Sequence, residues 1–291
     1  MKTQVEFIPK TENCPLCGSG DIAPEFSLLF ENHKIFWDFC KKCDLVFQNP
    51  RLSEKAIKNI YASDVYWGEK DIPGVSAYSR YCHNDHIRLR QSKLRLRKIM
   101  CITGIRSGKL LDIGCATGFF GFIAMKHGFQ VTGVEPSAKM ADFGRLNYNL
   151  NIQCATLEDS ILEKDHYDIV TLWGTDSHFL NPRQGFEKIV SSLKPGGILV
   201  MNYQNFRHWI RLLFPGLKKS RNVIYNLSDT SMAFLLKELN LRLLYKSLEW
   251  QWIPVDHFFR LIKIRSPGIL TGKVVFLPAI SFPLIIAKKP L

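Results

Sequence analysis

One glycine-rich stretch, residues 109–121, constrains the fold of this 291-residue chain more than any other. Apolar residues at positions 110, 111 and 113 lead into Gly114 and Gly118, and a helical pattern of apolar residues begins at Phe119. A strand, a tight turn and a helix in this order form the first unit of a doubly wound sheet, where ligands bind beyond the carboxyl ends of the strands. Strands and helices alternate along the chain, which predicts an α/β fold with a mostly parallel sheet.

Two carboxylates accompany this turn and indicate the kind of ligand that it suits. Asp112 lies two residues before Gly114, where its charge would repel a pyrophosphate but attract an ammonium group. Glu135 follows the next predicted strand, residues 131–134, and a carboxylate at such a strand end can accept both hydroxyls of a ribose. Residue 116 is alanine, so the spacing departs from the GxGxxG fingerprint and disfavours an NAD-dependent oxidoreductase. We therefore expect a nucleoside cofactor with a methionine-like ammonium group.

Further positions near the expected strand ends complete the candidate cofactor site. Cys115 follows Gly114 and Pro136 follows Glu135, and both are expected to contact the same cofactor. A third predicted strand, residues 152–157, is followed by Glu158 and Asp159, either of which can reach an adenine amino group. Trp173 follows a fourth strand, residues 167–172, where its ring can cover the adenine, line an acceptor pocket or belong to the ordinary core.

Four cysteines near the N-terminus form two CxxC pairs: Cys14, Cys17, Cys40 and Cys43. Each pair places two thiolates on one tight turn, and two facing turns supply the four soft ligands of a tetrahedral zinc site. Because no ligand position is left for water, the zinc is expected to be structural. A redox pair or plain buried cysteines are the alternatives. Residues 26–39, between the pairs, are predicted to form a hairpin around positions 31–33.

Three motifs resemble those of the class I S-adenosylmethionine-dependent methyltransferases. They are LDIGCATG at 111–118, GVEPS at 133–137 and LKPGG at 193–197. The resemblance implies a seven-stranded, Rossmann-like, doubly wound sheet and S-adenosylmethionine as the cofactor. It also implies an enzyme that transfers a methyl group.

The cysteine pairs, with VFQNP at residues 46–50, resemble the zinc-binding module that precedes this domain in some members. Such members are common among enzymes of sugar and surface-polysaccharide biosynthesis, including sugar C-methyltransferases. The implied organisation is a zinc-binding module at 1–50, a helical linker or cap over the cofactor site at 51–104, and the methyltransferase domain at 105–291. The chain is too short for the further C-terminal domain that sugar C-methyltransferases usually carry.

The loop after the fourth strand holds the candidate catalytic residues. Relatives often have a Glu-His pair there, whereas this chain has Ser177 followed by His178. His178 is the first candidate for a general base, because the reference pKa of histidine lies close to physiological pH. Asp176 could orient His178 or act in its place. A non-catalytic binding protein therefore stays open as an alternative.

The acceptor is less well defined by the sequence than the cofactor. The resemblance implies a small molecule or glycan, such as a sugar or a lipid-linked or surface-polysaccharide precursor, methylated on oxygen or carbon. The formal charge of +13 also leaves three other partners open: RNA, as the substrate of an RNA methyltransferase, a phosphorylated substrate, or an anionic membrane. A nucleic-acid partner is disfavoured because no base-reading motif of the NPPY type is present. Oligomeric state is not indicated.

Three basic or apolar segments bear on partners and location. A basic helix is expected at about 81–100. We interpret its basic residues as a solvated face of a helix that packs on the next domain. Residues 205–221 are interpreted as a substrate lid, or as a peripheral contact with an anionic membrane. Residues 274–287 are too short and proline-interrupted for a spanning helix, so we expect buried core with a final strand, or an interfacial contact. With eight scattered and paired cysteines, a reducing, cytoplasmic location is expected.

Overall fold

The computed structural model describes residues 6–30, 33–62, 85–209, 223–255 and 273–291. The main sheet contains seven strands: β4 (Gly108–Ile113), β5 (Phe129–Val134), β6 (Asn151–Gln153), β7 (Tyr167–Trp173), β8 (Leu193–Asn202), β10 (Arg242–Pro254) and β11 (Val274–Lys288). A smaller sheet contains β1 (Ile22–Phe30), β2 (His33–Cys40), β3 (Val46–Gln48) and β9 (Tyr225–Asn226). The α-helices are α1 (Glu54–Ala62), α2 (Asp85–Thr103), α3 (Phe119–Lys126), α4 (Ala138–Tyr148), α5 (Pro182–Ser192) and α6 (Asp229–Glu238).

The order of the main sheet is β10-β11-β8-β7-β4-β5-β6. Strands β8, β7, β4, β5 and β6 pair in parallel, and β11 pairs antiparallel with both of its neighbours. The predicted mostly parallel, seven-stranded sheet is therefore confirmed. The chain winds outward from β4 to β6 and then resumes at β7 on the other side of β4, so the order reverses between β4 and β7. A doubly wound sheet opens its ligand crevice at such a reversal, beyond the carboxyl ends of the two strands.

The smaller sheet joins the N-terminal module to the later part of the chain. Its strands β1 and β2 form the antiparallel hairpin that the sequence predicts, with Phe30 paired to His33. Strand β3 pairs with β2 on one side and with β9 on the other. Leu45 and Phe47 are buried in one hydrophobic cluster together with residues of the main sheet. The module and the α/β domain thus share a core, and the boundaries at 50 and 104 stay predictions.

Helix α2 packs across the main sheet and beside α3. Leu96 and Ile99 are fully buried, in a cluster with Leu110 of β4 and Val200 of β8. The helix begins at Asp85 among the described residues and ends at Thr103, close to the predicted span. One stripe of α2 is thus core, which agrees with a helix that packs one face on the next domain.

Helices α1 and α4 both begin at serine N-caps, but only one of the two serine side chains makes a capping bond. The Ser53 Oγ accepts a hydrogen bond from the Ala56 backbone N at 3.2 Å, as expected for the N-cap of α1. Ser137 also stands at an N-cap, but its side chain makes no capping bond. The backbone N of Ser137 donates to Glu135 Oε1 at 2.9 Å, which ties the start of α4 to the carboxylate at the end of β5.

Three strands differ from the sequence-based expectation. Strand β6 ends at Gln153 rather than 157, because residues 156–159 form a turn in which the Asp159 N donates to Thr156 Oγ1. The LKPGG motif at 193–197, with its proline and paired glycines, lies inside β8 as an irregularity of its pairing with β7 and not before the strand. Strand β11 is only partly core: residues 284–288 pair with β8, whereas residues 274–279 pair with β10 and expose Phe276 and Leu277.

Within the residues that the structure describes, no helix is both long enough and apolar enough to cross a lipid bilayer.

Candidate functional site

Gly114 begins the turn after β4 and lies against the loop that follows β7. A Cβ on Gly114 would come within 2.4 Å of the Thr175 side chain, and the φ of Gly114 is +65°. The backbone N atoms of Gly114 and Cys115 both donate to the Val134 carbonyl, at 2.8 and 3.1 Å. The glycine is therefore required both for the left-handed backbone and for the close approach of the two loops. Gly118, with φ +81°, starts α3 in the same conformation.

Asp112 is almost fully buried in β4, directly opposite Thr171 of β7. The Thr171 Oγ1 donates to Asp112 Oδ1 at 2.7 Å. Burial raises the pKa of Asp112 to about 7, and the Thr171 hydrogen bond and the charge of Arg95 oppose the rise. A buried carboxylate with one neutral donor and a nearby cation has capacity for a further donor, such as an ammonium group.

Glu135 is held at the end of β5 by two backbone donors. The Ala116 N donates to Oε2 and the Ser137 N to Oε1, both at 2.9 Å. The side chain is buried, and burial raises its pKa to about 7 against the effect of these hydrogen bonds. Each carboxylate oxygen keeps a second acceptor site, so the pair can accept two hydroxyls.

Cys115 and Pro136 line the same region with backbone and small side chains. Cys115 is buried, and its Sγ packs under Gly133, where an added Cβ would come within 2.7 Å of it. Pro136 is half-buried between Glu135 and the start of α4. Both lie beside the glycine turn, as expected, and their contact with a cofactor stays a prediction.

The residues at the strand ends fit S-adenosylmethionine, the cofactor that the resemblance implies. Buried polar atoms without a protein partner occur here, Thr117 Oγ1 in the glycine turn and Trp173 Nε1 at the end of β7. Gly114 keeps a cradle that a Cβ would fill. The hydrogen-bond acceptors match the cofactor, because the Glu135 carboxylate can accept from ribose hydroxyls and the Asp112 carboxylate from an ammonium group.

Trp173 belongs to a buried polar cluster that the sequence interpretation missed. The guanidinium carbon of Arg95 lies 4.1 Å from the centre of the Trp173 ring, and Arg95 Nε donates to Glu249 Oε1 at 2.6 Å. Asn202, Gln91 and Gln251 also donate to the Glu249 carboxylate. Burial raises the pKa of Glu249, but Arg95 and the amide donors outweigh it and hold that pKa below its ordinary value.

The interpretation of α2 as a solvated basic face is therefore wrong at Arg95. Gln91 and Arg95 are one helical turn apart on α2, and both side chains contact Glu249 of β10. The signal for this was the i, i+4 spacing of a polar pair on the stripe that also carries Leu96 and Ile99. Arg97 and Lys93, on the same helix, are exposed as expected.

Glu158 and Asp159, the two candidates for the adenine contact, are both engaged by protein groups. Glu158 Oε1 accepts from the Leu180 backbone N at 2.7 Å, beyond the end of β7. Asp159 is exposed and pairs with Lys58 of α1 at 2.6 Å. Lys188 holds their loop by donating to the Glu158 carbonyl at 2.8 Å. An adenine contact by either stays a prediction.

Asp176, Ser177 and His178 form a single 3-10 turn just after β7. Asp176 is buried, and burial raises the pKa of its carboxyl group to about 7. Burial lowers the pKa of His178 to about 4, so its imidazole is neutral at physiological pH. The turn begins next to Thr175, the residue that packs against Gly114. The two candidate proton acceptors therefore lie one and three residues after Thr175, the residue that packs against the glycine turn.

The four cysteines of the N-terminal module converge on one point. Their Sγ atoms all lie within 4.8 Å of one another. Cys14 and Cys43 are 3.6 Å apart at sulfur, and Cys17 and Cys40 are 3.4 Å apart. A zinc ion with bonds of about 2.3 Å to four thiolates separates the sulfurs by about 3.8 Å. The cluster is thus compatible with a structural zinc site, and the separations are far too long for disulfide bonds.

The two CxxC turns, residues 14–17 and 40–43, have the same backbone geometry. Gly18 N donates to the Cys14 carbonyl at 2.9 Å, and Asp44 N donates to the Cys40 carbonyl at 2.8 Å. Gly18 and Asp44 both have positive φ, +71° and +60°. The left-handed residue after each CxxC pair brings the two thiols to one side of the turn.

The segment proposed as a lid or a membrane contact is described only at its start, residues 205–209. Phe206 is buried and stacks on Phe26 of β1 at 5.8 Å. Trp209 is exposed. Residues 210–221 lie outside the described part of the chain, so both interpretations of the segment stay predictions.

Comparison with known families identifies the domain. A family model described as a methyltransferase domain matches residues 81–246, more than half of the chain. Among similar proteins is the ubiquinone biosynthesis O-methyltransferase of Coxiella burnetii, which is 27% identical over 124 residues. That match covers 40% of this chain and 53% of the relative, so the chain spans about half the length of the curated relatives it matches.

Solved structures agree on the fold. An S-adenosylmethionine-dependent methyltransferase of Thermotoga maritima superimposes with a TM-score of 0.51 at 16% identity, over 73% of this chain and 94% of that one. One from Leishmania major gives a TM-score of 0.52 at 14% identity, over 81% of this chain and 84% of that one. At such identities the likeness concerns the fold alone. With the family model, it shows that the chain belongs to the class I S-adenosylmethionine-dependent methyltransferases.

Proposed function

We propose that this protein transfers the methyl group of S-adenosylmethionine to a hydroxyl-bearing small molecule or glycan. The observation that carries the proposal is the contact between Gly114 and Thr175, which joins the cofactor turn to the turn that holds Asp176 and His178. The bound cofactor would supply an electrophilic methyl group on a sulfonium. Such a displacement depends on the position of the acceptor, which the protein fixes.

The chain's own residues would hold the cofactor and take a proton from the acceptor. Asp112 and Glu135 would anchor the ammonium and ribose groups. Asp176 has a pKa of about 7, near the optimum for a group that accepts a proton at physiological pH. His178 is neutral at that pH and can accept a proton without first losing one, although its lowered pKa makes it the weaker base. We assign the proton-accepting role to this pair.

Two features support the acceptor class. The relatives named ubiquinone biosynthesis O-methyltransferases act, by that name, in the synthesis of a small molecule. The cysteine module and the motif around residues 46–50 resemble those of sugar and polysaccharide methyltransferases. A small acceptor that carries a hydroxyl group is compatible with both. A sugar or lipid-linked precursor is the narrower form of the proposal.

The test is release of S-adenosylhomocysteine by the full chain with a panel of acceptors: nucleotide sugars, hydroxylated quinone analogues, catechols and a short RNA. We expect turnover with one of the first three classes. His178→Ala and Asp176→Asn should lower kcat at least tenfold, with the affinity for S-adenosylhomocysteine unchanged. His127→Ala, on the exposed end of α3, is the matched control. Turnover on the RNA alone, or full activity of both variants, would contradict the proposal.

A further inference from the structure

Strand β9 connects the cysteine module to the turn that carries Asp176. Ile224 N donates to the Ser177 carbonyl at 2.9 Å, and the Tyr225 hydroxyl donates to the Asp176 carbonyl. Both acceptors are backbone atoms of the 3-10 turn, and Tyr225 is fully buried. These two bonds fix the position of the turn from outside the main sheet.

The same strand is the outer strand of the module's sheet. Gln48 of β3 binds two successive residues of this segment: its backbone N donates to the Ile224 carbonyl, and its Nε2 donates to the Val223 carbonyl, each at 2.9 Å. Phe47 pairs with Tyr225 in the ladder. The segment is thus hydrogen-bonded both to the module, through Gln48, and to the turn, through Ser177 and Asp176.

The thiol cluster sets the position of β3. Cys40 is the last residue of β2, and its backbone N donates to the Leu45 carbonyl at 2.9 Å, just before β3 begins. Arg207, which follows β8, pairs with Asp44 at 2.9 Å, directly after Cys43. A metal held by the four thiols would lock the turn from 40 to 43, and with it the register of β3.

The cofactor half of the site is built differently. The hydrogen bonds to Asp112 and Glu135 come from Thr171, Ala116 and Ser137, all within the main α/β domain. The geometry of these carboxylates is thus set by β4, β5 and β7. A disturbance that enters through β3 and β9 reaches Asp176 and His178 first.

From this arrangement we infer that the cysteine module is a positioning element for the acceptor half of the site. Zinc bound to the module holds β3 in place, β3 holds β9, and Tyr225 with Ile224 holds the Asp176–His178 turn. Metal occupancy then controls the presentation of the proton acceptors while the affinity for the cofactor stays the same. The catalytic meaning rests on the proposed function, but the structural coupling does not.

The experiment measures backbone hydrogen exchange at Gln48, Ile224 and His178 in the full chain, with S-adenosylhomocysteine affinity determined on the same samples. Zinc-loaded protein is compared with the Cys43→Ser variant. We expect exchange at these amides to become at least tenfold faster without the metal, while the affinity changes less than twofold. Unchanged exchange would overturn the inference. A loss of affinity that parallels the faster exchange would also overturn it, because the module would then support the whole fold.

Tyr225→Phe tests the same coupling with the zinc site intact, should Cys43→Ser not fold. It removes only the hydroxyl that donates to the Asp176 carbonyl, which is worth roughly a factor of ten in local opening. We expect faster exchange at His178 with unchanged zinc content and cofactor affinity, and no such change in Tyr245→Phe, whose half-buried ring on β10 lies beside Lys98. Equal exchange in the two variants would overturn the inference. If the wild-type protein fails to bind S-adenosylhomocysteine, the proposed function is refuted, but the hydrogen-exchange rates still test the structural coupling.

Discussion

Arg95 and Glu249 form a buried ion pair, 2.6 Å between Nε and Oε1, although 154 residues separate them in the chain. The Glu249 side chain is 2% exposed and that of Arg95 is 16% exposed. The pair fastens α2 to β10 beside Trp173, at the edge of the cofactor crevice. Its amide neighbours donate further hydrogen bonds to the carboxylate, so the cluster is a polar network around one negative charge.

Removal of the cation should be costly for stability. We expect Arg95→Met to lower the free energy of unfolding by about 3–5 kcal/mol, because it leaves Glu249 buried without a positive partner. Arg97→Met, on the exposed face of the same helix, should change it by less than about 0.5 kcal/mol. Urea denaturation of both variants measures the difference, and equal effects would contradict the assigned role.

The pH dependence of this effect has a defined sign. In the wild type the pKa of Glu249 is held below its ordinary value, so its contribution is present above that ordinary value and is lost as the pH falls through the lowered pKa. In Arg95→Met, burial alone should raise the pKa, so stability should fall as the pH rises. The gap between wild type and variant is therefore expected to be larger at pH 7 than at pH 4.

Cofactor binding should strengthen as the pH rises from 6 to 8. Burial raises the pKa values of Asp112 and Glu135 to about 7, so below that pH both are partly protonated and accept fewer hydrogen bonds. The contribution of these raised pKa values to stability is fully present below about pH 4 and is lost as the pH rises to about 7, so stability and binding move in opposite directions. Titration calorimetry should show about tenfold tighter binding of S-adenosylhomocysteine per ionised carboxylate.

Thr171→Val provides the matched perturbation for this pH effect. The Thr171 hydroxyl donates to Asp112 and opposes the rise of its pKa. Without it we expect the pH midpoint of binding to move upward and the affinity at pH 7 to fall, with near recovery at pH 9. Affinity that is independent of pH in wild type and variant alike would show that neither carboxylate contacts the ligand.

The glycine turn allows a test that separates backbone strain from contact. Gly114→Ala adds a Cβ within 2.4 Å of Thr175 at a φ of +65°, whereas Gly104→Ala meets nothing within 4 Å at a φ of +75°. Both variants carry a strain of about 1 kcal/mol, but only the first forces the two loops apart. Binding of S-adenosylhomocysteine should weaken more than tenfold in Gly114→Ala and stay unchanged in Gly104→Ala. Equal binding in both would remove Gly114 from the site.

Metal analysis tests the cysteine cluster. Purified protein is expected to contain one zinc ion per chain, and Cys14→Ser should lose it together with several degrees of thermal stability. Cys101→Ser, at an exposed position on α2, should keep both. A cluster that holds no metal in the wild type, or a Cys14→Ser variant with full zinc content, would contradict the structural role.

Local patterns predicted the central part of the fold well. The turn at Gly114, the strand before Glu135 and the two CxxC turns each place their chemistry within a few residues, where spacing reflects geometry. The structure brings Asp112, Gly114, Glu135 and Trp173 to neighbouring strand ends, as expected for a doubly wound sheet.

Features that depend on long-range pairing escaped prediction. Strand β9 has only two residues, which is too short for a periodic pattern in the sequence to predict it. Its place beside β3 depends on hydrogen bonds from the distant residue Gln48. Arg95 was interpreted as solvated because its helix is basic throughout, and its partner Glu249 lies in a distant strand. The apolar sequence of β11 predicts continuous core. Only its last residues lie between two strands, because β8 ends at Asn202 and does not extend along the first part of β11.

The most direct test of the account is titration calorimetry of the full chain with S-adenosylmethionine and S-adenosylhomocysteine, with NAD as the control ligand. We predict micromolar binding of the first two, no binding of NAD, and at least tenfold weaker binding in Glu135→Ala but not in Glu187→Ala, an exposed glutamate on α5. Absence of binding in the wild type, or undiminished binding in Glu135→Ala, would contradict the assignment of this cofactor to the strand-end site.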